Sequence, residues 1–182
     1  MKRFLSLALC LIFIFSLTAC GNKSQGKSNH DIDIEYYAKL GQISGVDYKI
    51  GDDVSETKTS LASTIDEDGE LLYFDYEAGD YTVMTDGTVC CCYKTDDQNG
   101  GITHIVKYGD AYGFTQGTIS TEIRDAMSDM GFDAKEREAK SGELFFLPSS
   151  GNLTVLEYEI KDNTVLFVFE ENSLSASVIF KK

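Results

Sequence analysis

The residues best equipped for chemistry stand side by side: Cys90, Cys91 and Cys92, in the apolar run "GTVCCCYK" from Gly87 to Lys94. Such a group could ligate a metal, form a redox pair or simply pack. Tetrahedral zinc takes four ligands, commonly from spaced C-x2-C or histidine pairs. The chain offers three adjacent thiols and two isolated histidines, His30 and His104. In a strand, residues i and i+2 lie about 6.5 Å apart with parallel side chains, which makes a Cys90–Cys92 disulfide awkward. Structural cysteines are the expectation, ahead of exposed reactive thiols, and no metal or other cofactor is expected.

Two further constellations could bind or react. "TIDEDGELLYFD" sets Thr64, Asp66, Asp68, Gly69 and Asp75 at positions 1, 3, 5, 6 and 12 of an EF-hand-like loop. Its first ligand is Thr where Asp is usual, and its last is Asp where a bidentate Glu is usual. The run "LLYFDY" also reads as strand, so an acidic hairpin entry is the better reading. For catalysis there is no G-x-S-x-G, no H-E-x-x-H and no Walker loop. His104 sits in "GGITHIVKYG" as a strand-surface histidine, and nothing nominates a serine to go with it. The chain is expected not to be an enzyme.

The clearest chemistry is at the N-terminus. "MKRFLSLALCLIFIFSLTACG" has a basic start at Lys2 and Arg3, then an apolar stretch from Phe4 to Leu17 too short for a comfortable membrane span. Leu17-Thr18-Ala19-Cys20 resembles the lipobox of bacterial lipoprotein signal peptides. That resemblance implies cleavage before Cys20 and acylation of its thiol. The chain would then be extracytoplasmic and anchored to the bacterial membrane, since each buried CH₂ contributes roughly 0.8 kcal/mol. "GNKSQGKSNH" follows as a polar tether, with Lys23 and Lys27 suited to anionic headgroups.

All 30 acidic residues and 12 of the 16 basic ones come after His30, so the folded part carries 12 − 30 = −18. That balance argues against nucleic acid, whose binding needs a basic face. It favours solubility, or a cationic partner.

Elements that must position these residues come in two sets. "GELLYF" (69–74) returns as "GELFFL" (142–147), "GDYTVM" (79–84) as "GNLTVL" (151–156), and "DGTVCCCY" (86–93) as "DNTVLFVF" (162–169). Upstream, residues 51–61 face 117–127; downstream, 102–108 face 174–180. Five collinear matches point to two tandem α+β repeats, 31–109 and 110–182, after a signal peptide (1–19) and the lipidated tether (20–30). Each reads as helix then antiparallel meander. Ile119, Ile123, Met127 and Met130 sit at helical spacing with Ser120 as cap, and Asp53-x-x-Glu56 forms a capping box. A short helix closed by Gly41 is expected before the first repeat.

Asp86-Gly87 and Asp162-Asn163 are two-residue hairpin signals. They pair Ile160 with Val165, Tyr158 with Phe167 and Leu156 with Phe169 on an apolar core face. In the first repeat they turn Met84, Val89, Thr82 and Cys91 inward. Tyr81, Val83, Cys90 and Cys92 then point outward, with Leu166 and Val168 equivalent to the two cysteines. An apolar outer face is either covered by the other repeat or left for a partner.

Two helix-plus-meander units, each opened by Gly and an aliphatic six residues later, resemble the β-lactamase inhibitory protein-like family. Gly117 and Ile123 match that opening, whereas Gly51 has Thr57 at the second position. The family's disulfide cysteines have no counterpart in the adjacent Cys90–Cys92. The resemblance implies helices behind sheets that grip a protein, with Tyr81, Val83, Cys90, Cys92, Leu166 and Val168 on the gripping face. Inhibition of a lactamase is not implied. The functional expectation is a non-catalytic surface lipoprotein binding another extracytoplasmic protein, with a small-ligand or calcium-binding lipoprotein as the alternative.

Overall fold

Short runs of alternating apolar residues, rich in Val, Phe, Tyr and Thr, build the strands, and three helices among the described residues supply the other layer. The computed structural model describes residues 30–65, 68–147 and 152–182. Helices α1 (His30–Leu40) and α2 (Val54–Leu61) precede strands β1 (Phe74–Ala78), β2 (Tyr81–Thr85), β3 (Val89–Lys94) and β4 (His104–Tyr108). Helix α3 (Ser120–Asp129) precedes β5 (Lys135–Glu138), β6 (Leu153–Ile160), β7 (Asn163–Glu170) and β8 (Ser173–Lys181). The fold is α+β. The eight strands among the described residues form one antiparallel sheet in the order β1-β2-β3-β4-β8-β7-β6-β5. The junction is a ladder between β4 and β8, from His104↔Phe180 to Tyr108↔Ala176. The signal peptide, Cys20 and most of the tether lie outside the described residues, as does Asp66 of the acidic loop.

Local chemistry explains the helix ends. Asp53 caps α2 by accepting the Glu56 N–H at 2.9 Å. Gly41 closes α1 at φ 76°, and the Gln42 N–H reaches the Tyr37 carbonyl at 2.9 Å. Helix α3 departs from expectation. Its N-cap is Ile119, without a side-chain cap. Ser120 lies inside the helix and donates to Asn172 Oδ1 at 2.7 Å.

Both hairpins at the sheet's heart slip by two residues from the expected register. In the first, Thr85↔Cys90 is the last ladder pair and Met84 faces Cys91. Asp86 Oδ1 gathers the N–H groups of Thr88 and Val89, both at 2.9 Å, which lengthens the turn to four residues. In the second, Ile160 pairs with Asn163, and Lys161 turns the chain at φ 58°. Tyr158 therefore faces Val165, and Leu156 faces Phe167. A slip of two leaves every side chain on its expected face. One hairpin had no sequence expectation: Glu171 (φ 49°) and Asn172 (φ 67°) supply the two left-handed residues of a type I′ turn between β7 and β8.

The helices pack on one face of the sheet. Ile34, Val54, Leu61, Ile123 and Met127 meet Met84, Cys91, Ile105, Tyr158 and Phe167 in the larger core. Gly69–Phe74 and Gly142–Leu147, similar in sequence, differ in structure. The first leads into β1, while the second forms turns across the opposite face.

Candidate functional site

Strand alternation places Val83, Cys90 and Cys92 beside Val106, Leu166, Val168 and Val178 on the face away from the helices. That face is covered by the chain itself. The turns after β5 lay Leu144 and Phe146 across it, and Val83, Cys90, Cys92, Leu166 and Val168 are all buried. Tyr81, the sixth residue expected to meet a partner, is half-buried and stacks on Phe145 with ring centroids 4.7 Å apart. These six residues do come together, beneath or against a segment of the second half; a partner reaches the five buried ones only by displacing it.

Polar clasps hold the cover. Arg137 on β5 binds the Glu157 carboxylate of β6 and the Glu143 carboxylate of the covering turns, the latter through Nη1 at 2.8 Å and also through Nη2. The Arg137 guanidinium keeps the Glu143 carboxyl below its ordinary range. Tyr108 donates its hydroxyl to the Phe146 carbonyl at 2.9 Å. Burial raises the pKa of all three cysteine thiols, so none is a ready thiolate at neutral pH. Cys91 lies in the larger core, as a small hydrophobe.

What stays open is a corner at one end of the sheet. Five of the eight large hydrophobic side chains exposed among the described residues are Ile65, Leu71, Leu72, Phe74 and Tyr76. Phe74 is 53 % exposed and stacks on Tyr76 at 6.1 Å. The two border a cleft of about 450 Å³ whose other walls include Cys90, Tyr108 and Phe146. Sequence reasoning missed this site. Its signal was the alternation in "FDYEA", aromatics on one side and carboxylates on the other, but nothing local marks that strand as outermost.

A second opening, about 630 Å³, is rimmed by Lys39, Lys94, Lys181 and Lys182, with Asp162 among them. Tyr81 and His104 form part of its wall. The His104 ring packs among Tyr81, Phe145 and Phe180, and burial pushes its pKa down to about 4. It is neutral at neutral pH, with Nδ1 3.0 Å from Thr103 Oγ1. It is therefore less a strand-surface histidine than a packed aromatic. Lys39 pairs with Glu35 and Lys182 with Glu159, which leaves Lys94 and Lys181 on the rim to meet a small anion.

Of the acidic loop, Asp66 lies outside the described residues and the last position is engaged elsewhere. Asp75 lies in β1, where it accepts from Lys58 Nζ at 2.7 Å and from the Tyr73 hydroxyl at 2.8 Å. Among the described residues, no group of three His, Cys, Asp or Glu is placed to hold a metal. No helix among them is long and apolar enough to cross a membrane. No known family, curated protein or solved structure matches the chain.

Proposed function

We propose that this chain is an extracytoplasmic lipoprotein, anchored to the bacterial membrane through acylated Cys20, that binds another extracytoplasmic protein without catalysing a reaction. The observation that carries the binding role is the exposed Phe74–Tyr76 stack on β1, with Leu71 and Leu72 exposed just before it in the chain and Ile65, also exposed, bridged to Leu71. Soluble monomers seldom leave aromatic and aliphatic side chains clustered in water unless something covers them. The anchor rests on the lipobox-like Leu17-Thr18-Ala19-Cys20. The binding surface shifts from the six residues first expected to the Phe74–Tyr76 corner, because the chain's own cover occupies the former.

Two tandem repeats remain part of this proposal. A helix followed by four antiparallel strands occurs twice in chain order, which supports them. Gly51 (φ 90°) and Gly117 (φ 89°) also share a left-handed conformation, each six residues before a buried side chain, Thr57 and Ile123. The likeness to the β-lactamase inhibitory protein-like family is proposed at the level of fold alone. A second reading, a small-ligand lipoprotein, draws on the lysine-rimmed opening and would take an anion rather than calcium.

The test is cross-linking in the intact host with a photoreactive residue at position 76 of the full chain. A specific protein adduct, lost when Phe74→Ser is added, is the expected result. No adduct, together with a melting shift on adding small carboxylates or phosphates, would hand the function to the second reading.

A further inference from the structure

The two outer strands of the sheet are built differently. Strand β5, at one end, reads Lys-Glu-Arg-Glu, the kind of charged sequence that discourages another strand from pairing. Strand β1, at the other end, reads Phe-Asp-Tyr-Glu-Ala, and its first four residues are exposed. Its inner side is taken by the ladder to β2, from Phe74↔Thr85 to Ala78↔Tyr81. An outermost strand presents its other row of N–H and C=O groups to solvent.

We propose that β1 is a strand-addition site for a cationic, extended segment of a partner protein. Two observations specify the segment. Tyr76 pairs with Val83 and Asp75 with Met84, so Phe74 and Tyr76 share the covered face while Asp75 and Glu77 share the helix face. A strand laid along β1 must alternate in step, apolar residues beside Phe74 and Tyr76 and a basic residue beside Glu77, whereas Asp75 already holds Lys58 Nζ at 2.7 Å. Between Lys58 and Lys94 the chain holds eight carboxylates and no Lys or Arg, and Lys58 itself offsets only one of them, Asp75. That field attracts a basic segment and repels both an anionic membrane surface and a second copy of this chain. Main-chain pairing supplies affinity, and the cleft beside Phe74 and Tyr76 selects the apolar side chain.

This inference rests on the protein-binding reading and specifies its partner. It is tested with the full chain in neutral phosphatidylcholine nanodiscs, empty discs being the control. The probe is a capped seven-residue peptide of alternating Lys and Phe or Val, followed by fluorescence anisotropy at low and high salt. A peptide of the same composition with its lysines in one block is expected to bind at least tenfold more weakly. N-methylation of every second residue separates pairing from side-chain contact without altering the protein. One methylated set should lose at least tenfold in affinity while the other stays within about twofold. Phe74→Ser with Tyr76→Ser should also cost at least tenfold, and Glu77→Lys should weaken binding and flatten its salt dependence. Equal binding by both methylated sets, equal binding of the block peptide, or no binding of any peptide would overturn the proposal. So would a dimer abolished by the same substitutions, which would assign the edge to a second copy. A host adduct at position 76 alongside equal binding of both methylated sets would keep the protein-binding reading and sink strand addition. The expected peptide pattern with no host adduct would support the edge chemistry and count against that reading.

Discussion

His104 shows what burial does to a titrating side chain. Its ring sits between Tyr81, Phe145 and Phe180, and its pKa falls to about 4, against an ordinary value near 6.5. The unfolded chain therefore takes up the proton first as pH falls. Stability supplied by the neutral ring is complete above about pH 6.5 and is lost down to about pH 4, a difference on the order of 3 kcal/mol. His104→Phe should flatten that dependence in urea titrations at pH 7, 5.5 and 4. An unchanged slope would mean the ring is solvated. Glu143 works through a different window: its lowered pKa contributes stability above its ordinary value, lost only as pH falls through the lowered one. Among the described residues, the buried hydroxyls of Tyr158 and Ser177 have no hydrogen-bond partner. Ser177→Ala should be neutral or stabilise by about 1 kcal/mol, raising the melting temperature by a few degrees. A loss of that size instead would reveal a bound water.

Among the elements, the covering turns matter most to the second core. Phe146 is buried, and truncation to Ala should cost about 3–5 kcal/mol. It also lines the cleft that holds Cys90. In native conditions Phe146→Ala should speed alkylation of Cys90 before that of Cys91 or Cys92, read by mass spectrometry of the labelled peptides. Equal labelling of all three would indicate general unfolding and not an opened cover. The role of Cys91 was legible in the sequence because period-two alternation assigns faces without any long-range information. The hairpin registers were not, because Asp86 binds its neighbours' N–H groups and Asn163 joins its strand. There Asn163 Nδ2 donates to the Ala38 carbonyl of α1 at 2.8 Å, a contact across 125 residues. Turn statistics cannot anticipate a side chain recruited by a distant helix.

At the scale of the molecule, the proposed anchor and the proposed binding corner are separate devices. Cys20→Ser should leave the precursor uncut or release the chain from the membrane, as followed by labelled palmitate and by fractionation. Unchanged lipid labelling would refute the anchor. The formal charge of −18 on the folded part should make capture of a cationic partner fall with ionic strength, whereas a purely apolar contact would strengthen or hold.

The lipobox-like signal, the acidic character, the strand-rich α+β composition and the faces taken by the core side chains of the two central hairpins followed from the sequence alone. Each depends on neighbours within a few residues, where chain geometry is fixed by covalent spacing. Tertiary structure decided the rest: that β4 and β8 join the strands into one sheet, that Phe146 roofs Cys90 and Val83, and that β1 is left as an open edge. Those outcomes depend on pairings such as Tyr108 with Phe146, 38 residues apart, and Tyr76 with Phe146, 70 apart. Such contacts form only where the free energy of burying a whole face exceeds the entropy of closing the loops between them, a balance no short stretch of sequence contains.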